Sequence, residues 1–268
     1  MWNFDNKGNM KNIDVFFFDM GSTVLDFHAS KKSDIEMEGT GLLKVKKYIE
    51  KMYYFIDIEK LALEVFQPWL EYINTSRKEM LQEKRIDEMI YEYFMKNNIL
   101  LNRDEINKIL KLHYSEFANE VVINDGFIET ASYLKKKDKK LGIISNISYP
   151  EKIFIDIFKK LKIYHLFDDY MFSYSNVYMK PHKSMYICPL MKFKVMSKQT
   201  IMIGDNYKTD ILGAKALGIK TCLYDKRKIA QKREADYYIN HFHDIINIYV
   251  KASNTRFNAD ICFVTKVA

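Results

Sequence analysis

Three short apolar runs, far apart in the chain, constrain its fold more than any other feature. Ile13–Phe18 (IDVFFF) stops at Asp19. Leu141–Ser145 (LGIIS) is followed by Asn146. Thr200–Gly204 (TIMIG) stops at Asp205, with Asp210 shortly after. A run that is apolar on both faces reads as a strand covered on two sides, as in the middle of a parallel sheet. Asp169–Tyr174 and Lys220–Tyr224 (KTCLY) read as further strands, and Asp236–Asn240 as a short edge strand. Helical patterns lie between them: Phe127–Lys137, Pro150–Leu161 with proline at its start, His182–Phe193 and Thr209–Leu217. Strands alternating with helices imply an α/β fold, a Rossmann-like doubly wound parallel sheet with helices on both faces. In such sheets ligands bind outside the carboxyl ends of the strands. The polar residues that end the three runs therefore belong at one edge.

From about residue 33 to 120 the texture changes to Lys, Glu, Met, Leu and Tyr without strand-like alternation. Asp57 can cap a helix beginning IEKLALEVF, which Pro68 then interrupts or kinks. Further helical patterns occur near 85–97 and 103–119, and in the second Ile106, Ile109, Leu110, His113 and Phe117 share one face. The reading is an all-helical insert. The domain plan has four parts: a polar, flexible N-terminal extension over 1–12, an α/β core over 13–28 and 122–250, a helical insert over 29–121, and an unassigned tail over 251–268.

The 268 residues leave ample length for a core, and 48% hydrophobic with 29% charged residues exclude a wholly disordered chain. Three cysteines, Cys188, Cys222 and Cys262, are too few and too scattered for a disulfide framework or a zinc site. No apolar stretch reaches transmembrane length, and the N-terminus lacks the apolar core of a secretory signal, so a cytoplasmic location with no membrane partner is expected. The net charge of +7 comes from basic residues spread along helix faces such as Lys135–Lys140. These read as solvated faces rather than as a nucleic-acid surface. Oligomeric state is not legible.

At the shared strand edge a carboxylate (Asp19), a hydroxyl (Ser145), an ammonium (Lys180, before Pro181) and two more carboxylates (Asp205, Asp210) suit phosphoryl transfer. One carboxylate can attack phosphorus while a divalent cation held by the others masks the phosphate's charge. Oxygen ligands without His or Cys favour Mg²⁺ over zinc.

These residues resemble the motifs of the haloacid dehalogenase-like (HAD) hydrolase superfamily, all four in the family's order. FFFDMGSTVL resembles its first motif, LGIISN its second, Lys180-Pro181 its third and IMIGDNYKTD its fourth. The resemblance spans roughly residues 13–225 and implies a helical cap between the first two motifs. It further implies an Mg²⁺-dependent phosphatase acting on a small phosphorylated metabolite through an aspartyl-phosphate. Asp19 would be the nucleophile, with Lys180 and Ser145 catalytic. Ser145, Asn146 and Lys180 would hold substrate, and Asp19, the Gly21 carbonyl, Asp205 and Asp210 would hold the metal. The sequence departs from the family at Gly21, where phosphatases of this kind carry a second Asp that protonates the leaving group. That help is typically worth about 10²–10⁴-fold. Three consequences stay open: a substrate with a good leaving group, a substitute acid such as Asp26 or His28, or a member of the fold that binds phosphate or protein with little or no turnover. Asp205 and Asp210 argue against a dehalogenase, since halide displacement needs no metal. The insert's aromatics, Tyr53, Tyr54, Phe66, Trp69, Tyr91 and Tyr93, read as packing rather than as substrate contacts.

Overall fold

The computed structural model describes residues 10–52, 56–75, 81–228 and 234–250. Six strands form one sheet: β1 (Val15–Phe18), β4 (Lys140–Ser145), β5 (Asp169–Phe172), β6 (Thr200–Gly204), β7 (Lys220–Tyr224) and β8 (Tyr237–Ile239). Their order is β5-β4-β1-β6-β7-β8, every pair parallel. The chain steps outward from β1 in one direction and then, at β6, in the other. The crevice where this reversal occurs opens between the ends of β1 and β6.

The four buried residues of β1 alternate between two cores. Phe16 and Phe18 join the larger apolar cluster with Phe127, Leu134, Phe158 and Phe242, while Val15 and Phe17 join the smaller one with Met185, Tyr186, Met202 and Ala214. Both faces are thus covered, which is why β1 has no polar side. Phe18 meets Phe127 edge to face at 5.5 Å, and Phe17 meets Phe193 likewise at 5.4 Å.

β8 is the expected edge strand. The expected strand over Asp169–Tyr174 ends at Phe172, and Ser173–Asn176 turns into a single helical turn. The helix expected over Thr209–Leu217 begins as a wide turn, Tyr207–Leu212, before Gly213–Lys215. Of the extension over 1–12, Met10–Asn12 form one 3-10 turn with Met10 fully buried. Residues 1–9 and the tail over 251–268 lie outside the described residues.

Every described element between residues 34 and 120 is helical. Asp34–Lys51 opens with a reciprocal box in which Ser33 and Glu36 bond each other's backbone amides. Asp57 caps Ile58–Leu61 by accepting from the amides of Glu59 and Lys60. The chain then widens into a π turn over Ala62–Phe66 and returns to α-helix at Gln67–Asn74, with Pro68, which has no amide to donate, directly after the widened turn. Arg103–His113 and Ser115–Glu120 divide at Tyr114 what periodicity joins into one helix. Gly41 lets the helices Asp34–Lys51 and Arg103–His113 touch: a Cβ there would lie 2.1 Å from the His113 carbonyl oxygen. The insert leaves and rejoins the core through two short paired strands, β2 (Leu25–Asp26) and β3 (Val122–Ile123), which run antiparallel.

Candidate active site

Lys180 is the hub of the crevice. Its backbone lies on the loop between β5 and the helix Ser184–Phe193, beside a cis peptide to Pro181. Its side chain is buried, and its Nζ donates to Asp19 Oδ1 at 2.5 Å, Asp210 Oδ1 at 2.7 Å and the Ile144 carbonyl at 2.7 Å. An ammonium has three donors, and all three are used. Asn146 fixes the backbone of the same residue: its Oδ1 accepts from the Lys180 amide at 2.8 Å and its Nδ2 donates to the Lys180 carbonyl at 3.2 Å.

Asp19 follows β1 directly, with its amide donating to the Ile203 carbonyl of β6 at 2.9 Å. Asp205 follows β6. The Thr23 hydroxyl bonds both its amide, at 3.1 Å, and its Oδ1, at 3.3 Å. Asp210 is buried and accepts from the Asn206 amide at 3.0 Å. It can approach only because residue 204 is glycine: a Cβ there would stand 2.2 Å from Asp210 Oδ2. The sequence reading missed Thr23 as a support for Asp205, although it lies inside the stretch DMGSTVL. It also missed Tyr186, whose buried hydroxyl donates to the Thr209 carbonyl beside Asp210.

Asp19, Asp205 and Asp210 each offer a carboxylate oxygen, and these oxygens lie within 4.8 Å of one another. Burial pushes the Asp19 carboxyl up to about 7, with Asp210 and Asp205 adding to the rise and Lys180 opposing it. Asp205, more open to solvent than the other two, is pushed up to about 6 by desolvation in the crevice and by Asp210. Lys180 is held above the usual ammonium range: burial works against its charge, and Asp19 and Asp210 outweigh it. The cluster carries three acids against one base, so it suits a further cation. Its donors are all oxygen, which fits Mg²⁺.

Ser145 is the last residue of β4, buried, next to the Ile144 carbonyl that receives Lys180. Gly21 has an ordinary backbone conformation, and a Cβ added to it would meet nothing within 4 Å. The absent side chain is therefore not excluded by space or by backbone. Asp26 is paired with Lys226 at 2.8 Å, and His28 is exposed beside Asp34 at 3.4 Å. Both are engaged outside the Lys180 cluster. Of the insert's aromatics, Phe66 and Tyr93 are buried, Phe66 stacking on His113 at 3.9 Å, and Trp69 packs edge to face on Tyr149 at 5.3 Å. Tyr91 is exposed, while Tyr53 and Tyr54 lie outside the described residues.

The sequence matches the haloacid dehalogenase-like hydrolase family over residues 53–224. The chain belongs to that family. It is 31% identical over 131 residues to the glyceraldehyde 3-phosphate phosphatase of Pyrococcus furiosus, covering 46% of this chain and 52% of that one. It is 23% identical over 146 residues to the ribulose-1,5-bisphosphate 5-phosphatase of Halopiger xanaduensis, covering 51% and 60% respectively. The chain thus spans about half the length of the curated relatives it matches. Among solved structures, the 2-haloacid dehalogenase of Pseudomonas syringae pv. Tomato superposes with a TM-score of 0.61 at 16% identity, over 89% of this chain and 99% of that one. That likeness is one of fold. Among the described residues of this HAD hydrolase, no helix is long and apolar enough to cross a membrane.

Proposed function

We propose that this chain is a cytoplasmic, Mg²⁺-dependent phosphatase of small phosphorylated metabolites, with the helical insert acting as the cap over its crevice. The observation that carries this reading is the convergence of three carboxylate oxygens within 4.8 Å beside a saturated lysine. Halide displacement has no use for such a surplus of negative charge. A phosphate ester with a bound cation does. Asp19, Asp205, Asp210 and the Gly21 carbonyl would hold Mg²⁺, which when bound offsets the negative charge on phosphate and carboxylates. The phosphatase names of the two curated relatives agree with this choice of substrate class.

In this reading an Asp19 oxygen attacks phosphorus as the ester P–O bond breaks, giving an aspartyl-phosphate. Ser145 holds a phosphoryl oxygen, Lys180 takes another by giving up its bond to the attacking Asp19 oxygen, and Asn146 supports substrate binding by fixing the Lys180 backbone. The leaving oxygen takes its proton from water, since residue 21 has no acid to give. Water then attacks phosphorus, and phosphate departs as the bond to Asp19 breaks. Substrates with acidic leaving groups suffer least from the missing donor. A panel of phosphate esters assayed with Mg²⁺ and with a chelator tests the proposal. Activity that ignores the chelator, or that survives Asp19→Asn, would overturn it.

Gly21 favours a second reading, a phosphate-binding member of the fold without turnover. It gains if the panel is silent while Mg²⁺ and a phosphate mimic together raise the melting temperature.

A further inference from the structure

The insert touches the core at a seam remote in sequence from its two connections. Segment 81–87 of the insert lies along segment 173–179 of the core, which leads into Lys180. The Glu83 amide donates to the Val177 carbonyl at 2.6 Å, and the Met179 amide donates to the Leu81 carbonyl at 2.9 Å. The two bonds form an isolated antiparallel β bridge, Gln82 opposite Tyr178, between two loop segments. The carboxylate of Glu83 spans the seam as well. It accepts from the Ser148 hydroxyl at 2.5 Å and from the Ser173 hydroxyl at 2.5 Å. Ser148 lies three residues beyond Ser145 and is buried, and its carbonyl accepts from the Ile86 amide at 3.2 Å. Ser173 closes β5, is fully buried, and accepts from the Ile147 amide at 2.8 Å. One insert carboxylate therefore ties together the loop after β4 and the loop after β5.

Backbone conformation adds to the observation. Val177 has φ of 70° with ψ of −41°, and Leu81 has φ of 53°; both are positive-φ conformations that a β-branched valine rarely takes. Such conformations are strained and persist only where surrounding contacts impose them. Among these contacts are the seam's own bonds, since the carbonyls of both residues accept across it, alongside a bond inside the core from the Val177 amide to the Ser173 carbonyl at 3.0 Å. Without the seam, the segment that ends in Lys180 has reason to relax.

We infer that Glu83 is a positioning residue: it latches the insert onto the loops after β4 and β5, and the docked seam braces the segment that carries Lys180, whose backbone Asn146 holds from the core side. The inference rests on the phosphatase reading for its consequence in turnover, but not for the latch itself. Docking of the insert and assembly of the phosphoryl-binding groups then become one event. An insert swung away would release the Val177 and Met179 bonds and leave Lys180 held only from the core side.

The test compares wild type, Glu83→Ala and Glu83→Gln in the full chain. Amide exchange over residues 176–181 is followed against exchange in β1 and β6, and kcat and KM are measured for p-nitrophenyl phosphate with Mg²⁺. For Glu83→Ala, exchange at 176–181 is expected to rise about tenfold or more with β1 and β6 unchanged. KM is expected to rise about fivefold or more, because Lys180 holds the phosphate less well. Glu83→Gln, which keeps one acceptor, is expected between wild type and Ala, and it serves alone if Ala fails to fold. A merely structural role would lower kcat through an inactive fraction and leave KM unchanged, and that result overturns the inference. So does unchanged exchange at 176–181. If wild type hydrolyses no phosphate ester, the phosphatase reading fails separately, and the exchange measurement alone upholds or overturns the latch.

Discussion

Lys180 Nζ lies 2.5 Å from Asp19 Oδ1, an ion pair shared with Asp210 and buried in the crevice of an otherwise apolar sheet. One cation thus offsets two carboxylates, Asp19 from the end of β1 and Asp210 from the wide turn after β6. Removing it leaves both negative charges buried without a partner. Lys180→Met is expected to cost about 3–5 kcal/mol at pH 8, the usual penalty for breaking a buried ion pair. The cost should shrink at pH 5, where the orphaned Asp19 carboxyl can take a proton. Urea unfolding at the two pH values checks this, and an equal loss at both would contradict it.

The raised acids give the protein without metal a definite pH dependence. Asp19 at about 7 and Asp205 at about 6 keep protons in the folded state that an unfolded chain loses near 4. A folded state that binds more protons loses stability as pH rises, so these groups lower the melting temperature between about pH 4 and 7. A divalent cation competes for the same oxygens and should help most where the protons have gone. The rise in melting temperature caused by Mg²⁺ should be larger at pH 8 than at pH 5. Thermal scans with and without Mg²⁺ measure it, and equal shifts would place the ion elsewhere.

Gly21→Asp restores a proton donor at a position with room for it. Activity on alkyl phosphates should rise about tenfold or more, short of the roughly 10²–10⁴-fold of an optimally placed general acid, while aryl phosphates change little. The measurement is a rate series against leaving-group pKa for both proteins. Parallel slopes would show that leaving-group protonation is not what glycine removed.

Much of the crevice is legible in the sequence because strands of a parallel sheet all present their carboxyl ends at one edge. Three apolar runs ending in Asp19, Ser145 and Asp205 are enough to place those residues near one another. Lys180 is harder to read, since it sits on a loop and is drawn in by bonds to Asn146 and Ile144 that no local pattern announces. The helix Asp34–Lys51 is marked by its Ser33–Glu36 box, but Gly39 and Gly41 disguise its interior. The seam is illegible, because its partners are far apart in the chain and Glu83 resembles any surface glutamate.

His113 offers a separate test, on packing inside the insert and against the core residue Tyr149. Burial pushes its imidazole down to about 3, so the ring stays neutral, stacked on Phe66 and bonded through Nδ1 to the Tyr149 hydroxyl at 2.8 Å. An unfolded chain takes up that proton near 6.5. Stability from this group is therefore full above about 6.5 and is lost as pH falls toward 3. His113→Phe should flatten the acid side of the stability profile. At pH 8 it should cost about 1–3 kcal/mol, because the buried Tyr149 hydroxyl loses its hydrogen-bond partner. Denaturant melts from pH 4 to 8 on both proteins decide it.

The pairing of β2 with β3 has a consequence for how such a chain can be remodelled. Leu25 stands beside Ile123 and Asp26 beside Val122, so the insert begins and ends at one point in space. To the sheet, everything between them is a single hairpin loop, and lengthening a loop adds little closure entropy, roughly 0.6 kcal/mol per doubling. The core's strand order and register therefore place almost no demand on the size of what is spliced in there. A short turn could close the ribbon, or a foreign domain with neighbouring termini could occupy it, and β1 would still deliver Asp19 to the same edge.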